Sequence, residues 1–179
     1  MRRLFRDRRV RIGGLVVLAA VVVAAAWVLL SRGSSSTSPV SPIEPVALSA
    51  SGLVTLTHGV RQPIYWAGPR NNYLYELRRT SDGTVYVRYL PPGVDVGAKG
   101  AKYLVIATYP FKHAYEALQN VAGGRGVRVP GGGLALVDAK DPKSVHVAFP
   151  GVDFQAEVFD PSPKRALEIA SSGQVHSAG

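Results

Sequence analysis

The chain has 179 residues, 21 Lys and Arg against 12 Asp and Glu, no cysteine, and a formal charge of +9. The missing cysteine excludes disulfides, thiol catalysis and Cys-ligated metals. Six Arg and one Asp lie in residues 1–11 and one Arg at position 32, so residues 33–179 keep an excess of only three positive charges and no basic cluster of the kind nucleic-acid binding needs.

Residues 1–11 form a basic tail with Arg2, Arg3, Arg6, Arg8, Arg9 and Arg11. Residues 12–30 follow without a charge. Nineteen residues at about 1.5 Å each span roughly 28 Å, close to the hydrocarbon core of a bilayer, so the pattern predicts a transmembrane helix. The arginines before the span, against Arg32 alone just after it, predict a cytoplasmic N-terminus and an extracytoplasmic remainder, with Trp27 at the outer interface. The basic start and Ala24-Ala25-Ala26 also fit a cleavable signal peptide, but the apolar Trp27-Val28-Leu29-Leu30 that follows favours an uncleaved signal-anchor. The expected localisation is the cell membrane, single-pass.

Residues 31–47 are rich in Ser and Pro and read as a linker. An external domain is expected over residues 48–172. Residues 48–58 read as a short helix ending at Gly59, although Val54, Thr55 and Thr57 favour a strand. A short strand is expected at Pro63–Pro69. Tyr73–Thr80 and Thr84–Leu90 alternate around Ser81-Asp82-Gly83 and read as a β-hairpin. Tyr103–Tyr109 is a strongly apolar strand. Lys112–Val121 is an amphipathic helix ended by Gly123-Gly124. Three more strands are expected at Leu134–Asp138, Ser144–Phe149 and Phe154–Phe159, then a helix over Pro163–Ser171 opened by Ser162 and an early Pro. Residues 173–179 read as a disordered tail.

The fold class is therefore α+β, with an antiparallel sheet and helices on one face. Thr84–Tyr89 aligns with Ser144–Phe149 at an offset of 60, and Pro92-Gly93-Val94-Asp95 with Pro150-Gly151-Val152-Asp153 at 58. This similarity raises the expectation of two α-β-β-β repeats.

Few motifs carry chemistry. The Gly-rich stretch 123–133 lacks Gly-Lys-Ser/Thr and leads into a strand, so it is not a nucleotide loop. Its backbone N–H groups with Arg125 or Arg128 could hold an anion. His58, His113, His146 and His176 have no metal-ligand spacing, no Gly-x-Ser-x-Gly occurs, and neither a metal nor a cofactor is expected. A deep cleft holding two or more of Asp138, His146, Asp153 and His113 would favour the alternative, an envelope hydrolase. The aromatics point elsewhere: all eight tyrosines lie between Tyr65 and Tyr115, with Trp66 among them. Rings with polar tips suit sugar or peptide ligands. The candidate ligand-binding residues are Trp66, Tyr75, Tyr86, Arg88, Arg125 and Arg128.

Tyr65-Trp66-Ala67-Gly68-Pro69, Tyr86–Pro91, Pro130-Gly131-Gly132-Gly133 and Phe149-Pro150-Gly151 together resemble uncharacterised single-pass membrane proteins of actinobacteria, over about residues 50–172. That resemblance implies an envelope location and carries no activity. The sequence reads as a membrane-anchored, non-catalytic binding or scaffolding module. Its partners are membrane lipid through the span and an envelope protein or glycan.

Overall fold

The computed structural model describes residues 40–179. The basic tail, the apolar run 12–30 and most of the linker lie outside the described residues. Among the described residues, no helix is long and apolar enough to cross a membrane.

The elements are β1 (Ile43–Leu48), α1 (Ala50–Thr57), β2 (Tyr65–Trp66), β3 (Leu74–Arg79), β4 (Val85–Leu90), β5 (Val105–Pro110), α2 (Ala114–Ala122), β6 (Val127–Arg128), a 3-10 turn (Pro130–Gly132), β7 (Leu134–Val137), β8 (Ser144–Ala148), β9 (Phe154–Phe159), α3 (Pro163–Ser171) and β10 (His176–Ser177). Among the described residues, eight strands form one antiparallel sheet in the order β1-β3-β4-β5-β9-β8-β7-β6. The α+β class with a large antiparallel sheet therefore holds.

The sheet is two meanders, β3-β4-β5 and β7-β8-β9, joined along β5 and β9. Val85 pairs with Thr108 and Val87 with Ile106 in the first; Val145 pairs with Val158 and Val147 with Ala156 in the second. An offset of 60 thus carries β4 onto β8 and an offset of 50 carries β5 onto β9. The same offset relates Ala107 to Glu157, which pair with each other across the seam.

Alternation decides what each face buries. On the first face Tyr75, Leu77, Val85, Val87, Ile106, Val145, Val147 and Val158 are 0–1% exposed and join Leu53 of α1 and Ala166, Ile169 and Ala170 of α3 in one core. Ser49 caps α1 by accepting from Gly52 N (3.0 Å), and Leu53 anchors it, so capping and burial override the β-branched residues. On the second face a separate cluster joins Ala114, Leu118 and Ala122 of α2 to Leu134 and Ala148. This corrects the expectation of helices on one face. Strand β7 reads Leu-Ala-Leu-Val, apolar on both sides, because α3 covers one face and α2 the other.

Two boundaries also differ. β1 begins inside the stretch read as linker and pairs with β3. The expected disordered tail contains β10, which pairs with β2. Ala178 N donates to Ile64 O at 2.9 Å, and Val175 and Ala178 are buried. Its apolar residues are too few to show a period, so only the pairing partner reveals the strand.

Candidate functional site

The six candidate binding residues do not form one site. Tyr75 and Trp66 belong to the first-face core, ring edge to ring face at 5.6 Å, while Tyr86 and Arg88 occupy the second face. Arg88 donates to Glu76 Oε2 and to Ala98 O, both at 2.5 Å, and Glu76 also accepts from Gly97 N at 2.7 Å. The pair pins the loop between β4 and β5. Arg125 donates to Ala122 O and Val121 O and so finishes α2, and Arg128 donates to the Tyr115 hydroxyl. The glycines of that loop serve close approach: a Cβ on Gly133 would meet Phe149 and Val129 at 2.8 Å.

Two loop regions and the start of α3 line a cleft of about 220 Å³. Arg70 and Tyr73 come from the β2–β3 connection, Lys102 and Tyr103 from the β4–β5 connection, and Arg165 from the first turn of α3, with Tyr89 and Leu104 behind. Arg70 is positioned twice. Its N–H donates to the Tyr75 hydroxyl at 2.7 Å, and its guanidinium lies 5.0 Å from the Tyr89 ring and 5.9 Å from that of Tyr73. Tyr89 is itself fixed, accepting from Ala67 N (2.7 Å) and donating to Gly68 O (3.1 Å). Burial pushes its phenol well up, so it stays protonated. Arg165 donates through Nε (3.2 Å) and Nη2 (2.8 Å) to Asp160, which is 1% exposed. Among the described residues, three cations and no carboxylate line the cleft.

The second face carries a polar row. Tyr86, Ala107, Glu157 and His146 are register neighbours across β4, β5, β9 and β8. Tyr109 Oη and His146 Nδ1 are 3.0 Å apart, His146 Nε2 lies 3.3 Å from Asp138 Oδ2, and Ser144 Oγ donates to Glu157 at 2.6 Å. Burial raises the Asp138 carboxyl, but N–H groups of Lys140 and Asp141 together with His146 outweigh it and lower its pKa. Burial, then the fields of Glu157, Tyr86 and Asp138, push Tyr109 up.

Two of the four hydrolase candidates, Asp138 and His146, therefore meet. The hydroxyl against this imidazole is a phenol that resists ionisation, and Ser144 is bonded to Glu157 instead, which is a poor setting for nucleophilic catalysis. Asp153 accepts from His113 N at 2.9 Å and holds the left-handed turn that starts α2, a structural task. Among the described residues, no group of three or more His, Asp or Glu could hold a metal ion.

The cleft residues Arg70, Tyr73, Lys102, Tyr103 and Arg165 were not among the sequence candidates. The density of tyrosine between positions 65 and 115 pointed to four of them; nothing in the sequence pointed to Arg165, which the first turn of α3 brings to the two loops. No family model, curated protein or solved structure matches the chain.

Proposed function

We propose that the protein is a non-catalytic binding module held at the outer face of a cell membrane by residues 12–30 as an uncleaved single-pass anchor. Its ligand is an envelope glycan or protein segment engaged at the cleft between Arg70, Lys102 and Arg165. The observation that carries this reading is a concavity lined by three cations and three tyrosine rings, in which Arg165 is held by the buried Asp160 and the Tyr89 hydroxyl by Ala67 N and Gly68 O. The topology rests on the arginine asymmetry and the length of the apolar run.

Two measurements test it. Protease applied to intact spheroplasts should digest residues 40–179 and spare the N-terminal tail; protection of the domain would end the topology. Glycan and peptide arrays probed with the full-length protein in neutral detergent should give hits that Tyr73→Ala and Tyr103→Ala abolish. An array without such hits would end the binding reading.

The contact of Asp138 with His146 favours one alternative, an envelope hydrolase using carboxylate and imidazole chemistry. Turnover of ester, amide or glycoside substrates that is lost in His146→Ala would establish it. We also propose that the meanders β3-β4-β5 and β7-β8-β9 are a duplicated β-β-β unit, supported by the matched pairings in β4-β5 and β8-β9; α1 and α2, on opposite faces of the sheet, fall outside the repeat. Poor superposition of residues 74–110 on residues 134–159 in an experimental structure would end that idea.

A further inference from the structure

We infer that the cleft is a receptor for a phosphate monoester carried on a small polyol or sugar. The inference rests on the proposed binding role of the cleft and names the class of ligand. Charge is the first argument. Arg70 and Lys102 bring two uncompensated positive charges, whereas Arg165 is matched by Asp160, whose carboxylate is buried behind it. Among the described residues, the lining is therefore doubly positive. A phosphate monoester carries about −1.5 to −2 at neutral pH and matches it; a carboxylate supplies only half that charge.

Geometry is the second argument. Two of the three cations are guanidiniums. Asp160 holds Arg165 through Nε and Nη2; the backbone N–H of Arg70 donates to the Tyr75 hydroxyl, and its guanidinium lies 5.0 Å from the Tyr89 ring. Guanidinium N–H groups suit the oxygens of a phosphoryl group, and Arg165, already held by Asp160, has little side-chain freedom to lose on binding. Lys102 adds a mobile point charge from an exposed loop position.

Size is the third. About 220 Å³ is below the roughly 300–1,000 Å³ of sites for drug-sized ligands, which suits a single sugar or glycerol unit with its phosphate better than a nucleotide. Tyr73 and Tyr103, both half-buried, offer the ring faces against which such a unit can lie.

The test is isothermal titration calorimetry of the full-length protein in neutral detergent. The probes are inorganic phosphate, glucose 6-phosphate, glucuronate, glucose and dihexanoyl phosphatidic acid. Glucose 6-phosphate or dihexanoyl phosphatidic acid should bind saturably, and more weakly as salt rises. The first shows a soluble sugar phosphate as the source of the group, the second a lipid headgroup. Arg70→Gln and Lys102→Gln should each weaken binding roughly tenfold or more, since each removes a charge-assisted contact. Arg125→Gln, on the α2–β6 connection, should leave it unchanged.

Saturable binding of no phosphate probe overturns the inference, as does binding indifferent to both cleft substitutions. Glucuronate held as tightly as glucose 6-phosphate overturns the dianion match. Array hits that depend on Tyr73, with no phosphate binding, would leave a binding module of another specificity. Absence of both would end the two readings together.

Discussion

Arg88 illustrates how a residue attractive as a ligand contact is spent on the fold. The side chains of Arg88 and Glu76 are 15% and 10% exposed, and between them they hold Gly97 N and Ala98 O of the β4–β5 loop. Arg88→Ala strands a mostly buried carboxylate, a defect that costs about 3 kcal/mol. Urea unfolding followed by circular dichroism should show the midpoint fall accordingly, while Arg125→Ala, an exposed change that removes hydrogen bonds only at the end of α2, should move it less.

Asp138 makes a second prediction at this scale. Its folded pKa lies below the usual carboxylate value near 4, so the unfolded chain takes up the proton first as pH falls. The stability it contributes is complete above about pH 5 and drains away through the folded value. Wild-type protein should therefore lose more stability than Asp138→Asn between about pH 5 and pH 3, as measured by urea midpoints across that range. Equal losses would show that its hydrogen bonds do not favour the ionised form.

The elements divide by how much of their cause is local. The Tyr73–Thr80 and Thr84–Leu90 hairpin, the strands β5, β7, β8 and β9 and the helices of residues 114–122 and 163–171 were legible because period, punctuation and caps agree with the tertiary answer, whereas the two-residue β6 lay inside the stretch read as a Gly-rich loop. Ser162 and Pro163 start α3 where the sequence placed it. What could not be read was the face to which a helix goes. α2 has one apolar stripe, which fits either side of a sheet, and the decisive clue was elsewhere, in the two-sided apolar pattern of β7. The cleft was illegible for a stronger reason: Arg70, Lys102 and Arg165 are far apart in sequence and only the assembled sheet brings them together.

The Gly-rich segment also finds its explanation among elements. Gly173, just past α3, has φ of 82° and sits where a Cβ would come within 2.8 Å of Pro130. Gly173 thus lets the 3-10 turn nest against the end of α3, while Gly131 and Gly132 supply the positive φ of the turn itself beside Phe149 and Pro150. Gly173→Ala should cost about 1–3 kcal/mol from the left-handed backbone plus the contact, and lower the thermal midpoint by several degrees. Ala at Gly93, which also has positive φ but meets nothing within 4 Å, separates the two contributions.

For the whole molecule, the β5–β9 ladder is the structural keel. Six residue pairs run along it, and its inward residues are fully buried. Hydrogen exchange should therefore leave the amides of Ile106, Thr108, Ala156 and Val158 among the last to exchange, with β1 and β6 among the first. Rapid exchange at the seam would show two meanders that open independently.

Both rims of the sheet are blunted in the way edge strands generally are: β6 has two residues, and β1 breaks register between Ile43 and Val46 with Pro45 inside the break. Because the chain enters the folded part through β1, any tension along the preceding segment arrives at a rim strand rather than at the keel. Such a load peels ladder bonds one after another from Ile43 towards Leu48, so the domain yields in a small, reversible first step. The length released would act as slack, leaving the cleft residues from Arg70 to Arg165 assembled under a pull that has already undone the first strand.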